Sequence, residues 1–194
     1  MGKNTGKASA STGTTAKGKK ARTASEAAAP EKKMPNSWIK STCSEADLQE
    51  LRVAGLILAD ESLAKIPAGE TIPSPPPGWI VVFLAFFFRG LSFPAHEFLR
   101  GLLCVYGIQL HHLMPNAVLH IACFIVMCEC FLGIHPHWGL WKRLYSAKKQ
   151  GDYATGSFGF AVRSDMDYFK FKRLDIAQNW RSKWFYMKDS KVGN

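Results

Sequence analysis

Residues 107–145 read GIQLHHLMPNAVLHIACFIVMCECFLGIHPHWGLWKRLY, and this stretch decides the fold. Its middle, residues 117–134, has only two strongly polar side chains, His120 and Glu129. Pro115 and Asn116 mark a helix start, with Asn116 as N-cap, and the helix runs through Leu132 to a stop at Gly133. Pro136 then opens a short helix to Tyr145. A helix apolar all round is either the centre of a bundle or a membrane span. Glu129 decides between them, because a carboxylate in mid-bilayer costs ~2.5–3.5 kcal/mol on insertion scales. The expectation is a soluble central helix on which the others pack, with a membrane-inserted protein as the alternative.

Working back toward the N-terminus, residues 1–35 contain no Val, Leu, Ile, Phe, Tyr or Trp. Such a segment cannot offset the entropy of folding and is expected to be a disordered basic tail. Order is expected from Trp38, in a single domain over residues 36–189 with a tail at 190–194. Ser44 and Asp47 form a capping-box pattern for a helix to about Ala54, with Gly55 able to take the left-handed position after it. Five prolines between Leu63 and Gly78 remove backbone donors and predict an extended connector. The apolar run at 79–88, WIVVFLAFFF, fits a buried helix or strand and is too short to span a bilayer. Pro94 suits the first turn of the next helix and Gly107 its end. Phe98, Leu102, Val105 and Tyr106 share one face of that helix, with Leu99 and Leu103 alongside and Glu97 and Arg100 toward solvent.

After Lys149 the hydrophobic period changes. Phe158, Phe160 and Val162 alternate with small residues and predict a strand. Asp165, Met166 and Asp167 suit a turn, Phe169 and Phe171 alternate with Lys170 and Lys172 in a second strand, and residues 180–187 contain a third. The fold class is therefore α+β, mainly α: a helical core of about four or five helices with a small C-terminal antiparallel sheet.

The net charge of +10 is unevenly placed. Residues 1–35 carry +6, residues 36–141 carry −3 and residues 142–194 carry +7. Basic ends around a slightly acidic core suit an anionic partner. Lys17, Lys19, Lys20 and Arg22 resemble a nuclear import signal, against the rival reading of an organelle transit peptide. The five cysteines, Cys43, Cys104, Cys123, Cys128 and Cys130, are odd in number and lie mostly in apolar surroundings. Reduced, buried thiols in an intracellular compartment are expected.

His111, His112, His120, Cys123, Cys128, Cys130, His135 and His137 invite a metal reading, but no CxxC pair occurs and zinc-finger spacing is missing. No cofactor or metal ligand set is assigned. Neither a nucleophile elbow nor a phosphate-binding loop is present, so no catalytic residue is assigned either. Asp165, Asp167 and Asp175 are the acids available to a metal-dependent DNA-processing enzyme, the alternative of another class. The strongest functional candidates are Lys170, Lys172, Arg173, Arg181 and Lys183, interleaved with Phe169, Phe171, Trp180, Trp184 and Tyr186. Cations for phosphate and rings for stacking are what a nucleic-acid binder needs. The competing reading makes the rings core and the cations their solvated face.

Several motifs together resemble the gypsy-type transposon domain of plants. They are Phe88-Arg89-Gly90 with Phe93-Pro94, Gly107 with Gln109, His111-His112-Leu113, Pro115-Asn116, Cys128-Glu129 with Phe131-Leu132-Gly133, and Leu140-Trp141. Trp180-Arg181-Ser182 and Trp184-Phe185-Tyr186 extend the likeness, so that it covers about residues 47–189. The resemblance implies an origin in a long-terminal-repeat retrotransposon and brings no catalytic residues with it. The chain departs from the pattern at Trp79, where a Glu commonly precedes the apolar run. A non-catalytic, retrotransposon-derived domain is the expectation, associated with DNA or RNA through its basic ends and with self-association left open.

Overall fold

The computed structural model describes residues 38–67, 69–149, 155–164 and 179–188. The basic tail, the Asp165, Asp167 and Asp175 acids, and the strand expected around Phe169 and Phe171 lie outside the described residues.

Local chemistry sets most element ends. Helix α1, Glu45–Val53, starts on the expected capping box: the Asp47 amide donates to Ser44 Oγ and the Ser44 amide to Asp47 Oδ2 at 2.7 Å. Gly55 follows it at φ +67°. Strand β1, Ala64–Lys65, precedes the proline-rich connector. The apolar run after the connector is divided between strand β2, Trp79–Phe83, and the single-turn helix α2, Leu84–Phe87. Helix α3, Glu97–Tyr106, ends on Gly107 at φ +61°.

Helix α4, Pro115–Val126, continues as a π turn, Met127–Phe131, to Leu132, and Gly133 leaves it at φ +62°. Helix α5, Trp138–Leu144, runs directly into strand β3, Tyr145–Lys149. Strand β4, Phe158–Val162, pairs antiparallel with β3, and strand β5, Trp184–Lys188, closes the described fold.

Three proline-based expectations shift by a residue or two. The N-cap of α4 is Met114 rather than Asn116, because Pro115 takes the first helical position, where no amide donor is needed. Pro94 and Pro136 both lie ahead of their helices, whose N-caps are His96 and His137. On α3 the buried face is Leu99 and Leu102, and Val105 points outward.

The mainly α fold with small antiparallel sheets stands, and its centre is β5. That strand lies between β1 and β2, with Lys65 opposite Tyr186, Val82 opposite Phe185 and Phe83 opposite Trp184. Trp184, Phe185, Tyr186 and Met187 are all buried, so the strand is covered on both faces. Burial on both sides is why its sequence shows a continuous apolar run instead of alternation. Residues 38–44 hold one flank: Ser41 Oγ donates to the Trp184 carbonyl at 2.6 Å, and Trp184 Nε1 donates to the Ile39 carbonyl at 2.8 Å.

A second hub is Trp141, fully buried, stacked on Tyr145 at 4.2 Å with Phe160 and Phe124 edge-on. Helices α2 and α4 meet at Gly90, where a Cβ would come within 2.7 Å of Ala122 Cβ. That close approach, at φ +89°, explains the glycine of the Phe88-Arg89-Gly90 motif.

Helix α4 is less enclosed than its composition implies. Ala117, Val118, Ile121, Phe124 and Cys128 face the core, whereas Val126, Phe131 and Leu132 are exposed. Among the described residues no helix is long and apolar enough to cross a membrane. The expectation of buried thiols holds for Cys43 and Cys128; Cys123 is half-buried, and Cys104 and Cys130 are exposed.

Candidate nucleic-acid interface

Arg181 and Lys183 are the two sequence-selected cations within the described residues; Lys170, Lys172 and Arg173 lie outside them. Lys183 Nζ sits 2.8 Å from Asp47 Oδ2 and donates to the Thr42 carbonyl at 3.1 Å, tying β5 to the start of α1. Burial alone would raise the Asp47 carboxyl, but hydrogen bonds from Lys183 and Ser44 hold it below its ordinary range. Arg181 lies over the Trp180 ring at 5.5 Å, and its guanidinium reaches toward the Gly156 carbonyl at 3.5 Å. Trp180, Trp184 and Tyr186 are buried, which is the core reading of those rings.

A different basic surface is assembled by α5, β3 and β4. On the outer face of the β3–β4 hairpin, Ser146 pairs with Ala161 and Lys148 with Gly159. Arg163, just past β4, is anchored to α5, its Nε donating to the Lys142 carbonyl at 2.9 Å and its amide to the Leu144 carbonyl at 2.9 Å. The result is a shallow groove of about 310 Å³ lined by Ser146, Lys148, Ala161, Val162, Arg163 and Ser164. Lys142, Arg143, Lys148, Lys149 and Arg163 are all exposed. Among the described residues from Cys130 to Lys188 there is no Asp or Glu. Two exposed cations, Lys148 and Arg163, thus border a lining of small and medium side chains. Sequence reading missed this surface because YSAKK carries little strand signal, although the positive balance of the C-terminal third was visible.

The histidines of the central stretch, and His96 before it, have another use. His96, His112 and His137 each accept a backbone amide at Nδ1, from Phe98 at 3.0 Å, Gln109 at 3.0 Å and Leu140 at 3.2 Å. Acceptance at Nδ1 places the ring proton on Nε2, so these imidazoles act as helix and turn caps in place of the usual Ser or Asp. His111 packs on Trp38 at 5.0 Å, and burial pushes its imidazolium pKa down to about 4, with the neighbouring His112 adding to the shift. His120 lies 5.7 Å from the Tyr145 ring, and His135 is exposed. Among the described residues no three His, Cys, Asp or Glu side chains gather as a metal-ligand set.

Residues 80–149, from β2 to the end of β3, match the family model described as "Putative gypsy type transposon". Over these residues, about a third of the chain, the sequence is similar to the gypsy-type transposon family. The matched segment contains α2 to α5 and β3, and with them the Gly90 contact, the histidine caps and the Trp141–Tyr145 stack. It is shorter than the span of the sequence resemblance: Trp180-Arg181-Ser182 and Trp184-Phe185-Tyr186 fall beyond it. No curated protein and no solved structure matches the chain.

Proposed function

We propose that this gypsy-type domain is a non-catalytic module that holds the phosphate backbone of DNA or RNA on the α5–β3–β4 surface. The observation that carries the proposal is the groove between Lys148 and Arg163, with Lys142 and Arg143 beside it and no carboxylate among the described residues of that region. Phosphate contacts of this kind give affinity without reading sequence. Lys170, Lys172, Arg173 and Arg181 extend the same charge along the chain, and Lys17, Lys19, Lys20 and Arg22 suit delivery to the nucleus. Lys183 has a different task in this reading, since its partner is Asp47.

The test is fluorescence anisotropy of the full chain with a labelled 20-base-pair duplex and a single strand, across 50 to 200 mM salt. Binding should weaken steeply with salt, and Lys148→Glu with Arg163→Glu should reduce the log–log salt slope by about 2, roughly one per lost phosphate contact. No binding at the lowest salt, or an unchanged slope in the double variant, would overturn it.

A further inference from the structure

Part of the α4 surface is both apolar and exposed. Val126, Phe131, Leu132 and Ile134 are 48%, 80%, 53% and 41% exposed, and Phe88 beside them is 43% exposed. All of them except Ile134 line a groove of about 920 Å³ shared with Leu119, Ala122 and Cys123, whose single charged lining residue is Arg89. Large side chains are exposed here for a local reason. The π turn at Met127–Phe131 adds a residue to the helical repeat, which rotates Phe131 and Leu132 off the buried face that ends at Cys128.

We infer that this face is a two-fold interface between two copies of the chain, with Phe131 of each copy seated in the groove of the other. A ridge and a groove on one patch are what an isologous contact requires, because each feature must meet its complement on an identical surface. The area agrees with that occupant. With ~150–250 Å² for a whole aromatic side chain, Phe88 and Phe131 at their exposures offer roughly 250 Å² per copy. Val126, Leu132 and Ile134 bring a similar amount, and the groove walls add to it. The face thus offers roughly 500 Å² per copy, at the upper end of the apolar patches monomers expose, and about 1,000 Å² over two copies, the size at which a specific interface begins. Its lack of carboxylates and near-lack of charge matches the apolar centre of homodimer contacts.

Sedimentation equilibrium of the full chain in reducing buffer, from 1 to 100 μM, tests this directly. The 21.6 kDa chain should show a concentration-dependent dimer. Phe131→Asp should weaken it at least tenfold, while Val53→Asp, an exposed position on α1, should leave it unchanged. Far-ultraviolet circular dichroism of both variants checks that they remain folded; Leu132→Asp serves as a second groove variant if Phe131→Asp unfolds. A wild-type monomer at 100 μM overturns the inference, as does a dimer that survives the folded groove variant.

Discussion

His96 uses both ring nitrogens to join two segments. Its Nδ1 accepts the Phe98 amide at the start of α3, and its Nε2 donates to Glu129 Oε1 at 2.9 Å on the π turn after α4. The two contacts are mutually consistent, since acceptance at one nitrogen places the proton on the other. A neutral imidazole satisfies both, and Glu129 is thereby accounted for within an otherwise apolar stretch.

Removing the ring in His96→Ala should therefore cost about 1–2 kcal/mol, from the lost cap and the lost bridge to the π turn. Glu129→Gln keeps an acceptor for Nε2–H and should cost under about 0.5 kcal/mol. Urea unfolding followed by circular dichroism checks both. Equal losses in the two variants would show that the ion pair, and not the cap, sets the contribution.

Tyr186 joins the central strand to the proline-rich connector. Its hydroxyl donates to Glu70 Oε2 and accepts the Ser74 amide at 2.8 Å, while the ring is buried between β1 and β2. Tyr186→Phe retains the packing and leaves both partners without the hydroxyl, so a loss of about 1–3 kcal/mol is expected. Limited proteolysis should cut near residue 74 faster in the variant. Burial first, and Glu70 second, push the phenol up to about 12, so its contribution should persist at pH 9 and fade as the pH rises from about 10 toward 12. Equal stability of variant and wild type at pH 8 would sink this role.

The helices and their stops were legible because their signals are local. Ser44 with Asp47, Gly107 and Gly133 each act within one turn, and each sits where the pattern places it. The partners of β5 were not legible: Trp184 meets Phe83 across about a hundred residues, and no local period encodes that pairing. The π turn was equally hidden, since a helix wheel drawn at 3.6 residues makes Phe131 look as buried as Phe124. Site reading followed the same division. The basic excess of the C-terminal third shows in composition, but the expected helix stops at Tyr145 and residues 146–149 carry no strand signal of their own. Thus Lys148 and Arg163 could not be placed together before the hairpin was seen.

Lys183 separates a structural cation from a phosphate-binding one. It contacts Asp47 and the Thr42 carbonyl, and Asp47 also completes the capping box of α1. Lys183→Gln should lower stability by about 1 kcal/mol, the upper range for a pair that is partly exposed. Its effect should nearly vanish in an Asp47→Asn background, as a double-mutant cycle would show. The salt slope for nucleic acid should stay at the wild-type value. A reduced slope with unchanged stability would instead place Lys183 on the phosphate surface.

Acid should destabilise the fold through His111 before the carboxylates titrate. Burial against Trp38 pushes its pKa down to about 4, and His112 beside it is lowered by burial as well. The unfolded chain takes up these protons near pH 6.5, whereas the folded chain does not until near pH 4 at His111. The stability they contribute is therefore complete above about pH 6.5 and is lost as the pH falls through that window, by up to about 1.4 kcal/mol per pH unit for one group. Between pH 6.5 and 5 Asp47 is still ionised, because its carboxyl is held low. His111→Phe keeps a ring against Trp38 and removes the titrating nitrogen, so its urea midpoint should fall less steeply over this interval, with His112 supplying the remaining slope. Identical pH profiles for variant and wild type would show that the neutral His111 ring is not what acid attacks.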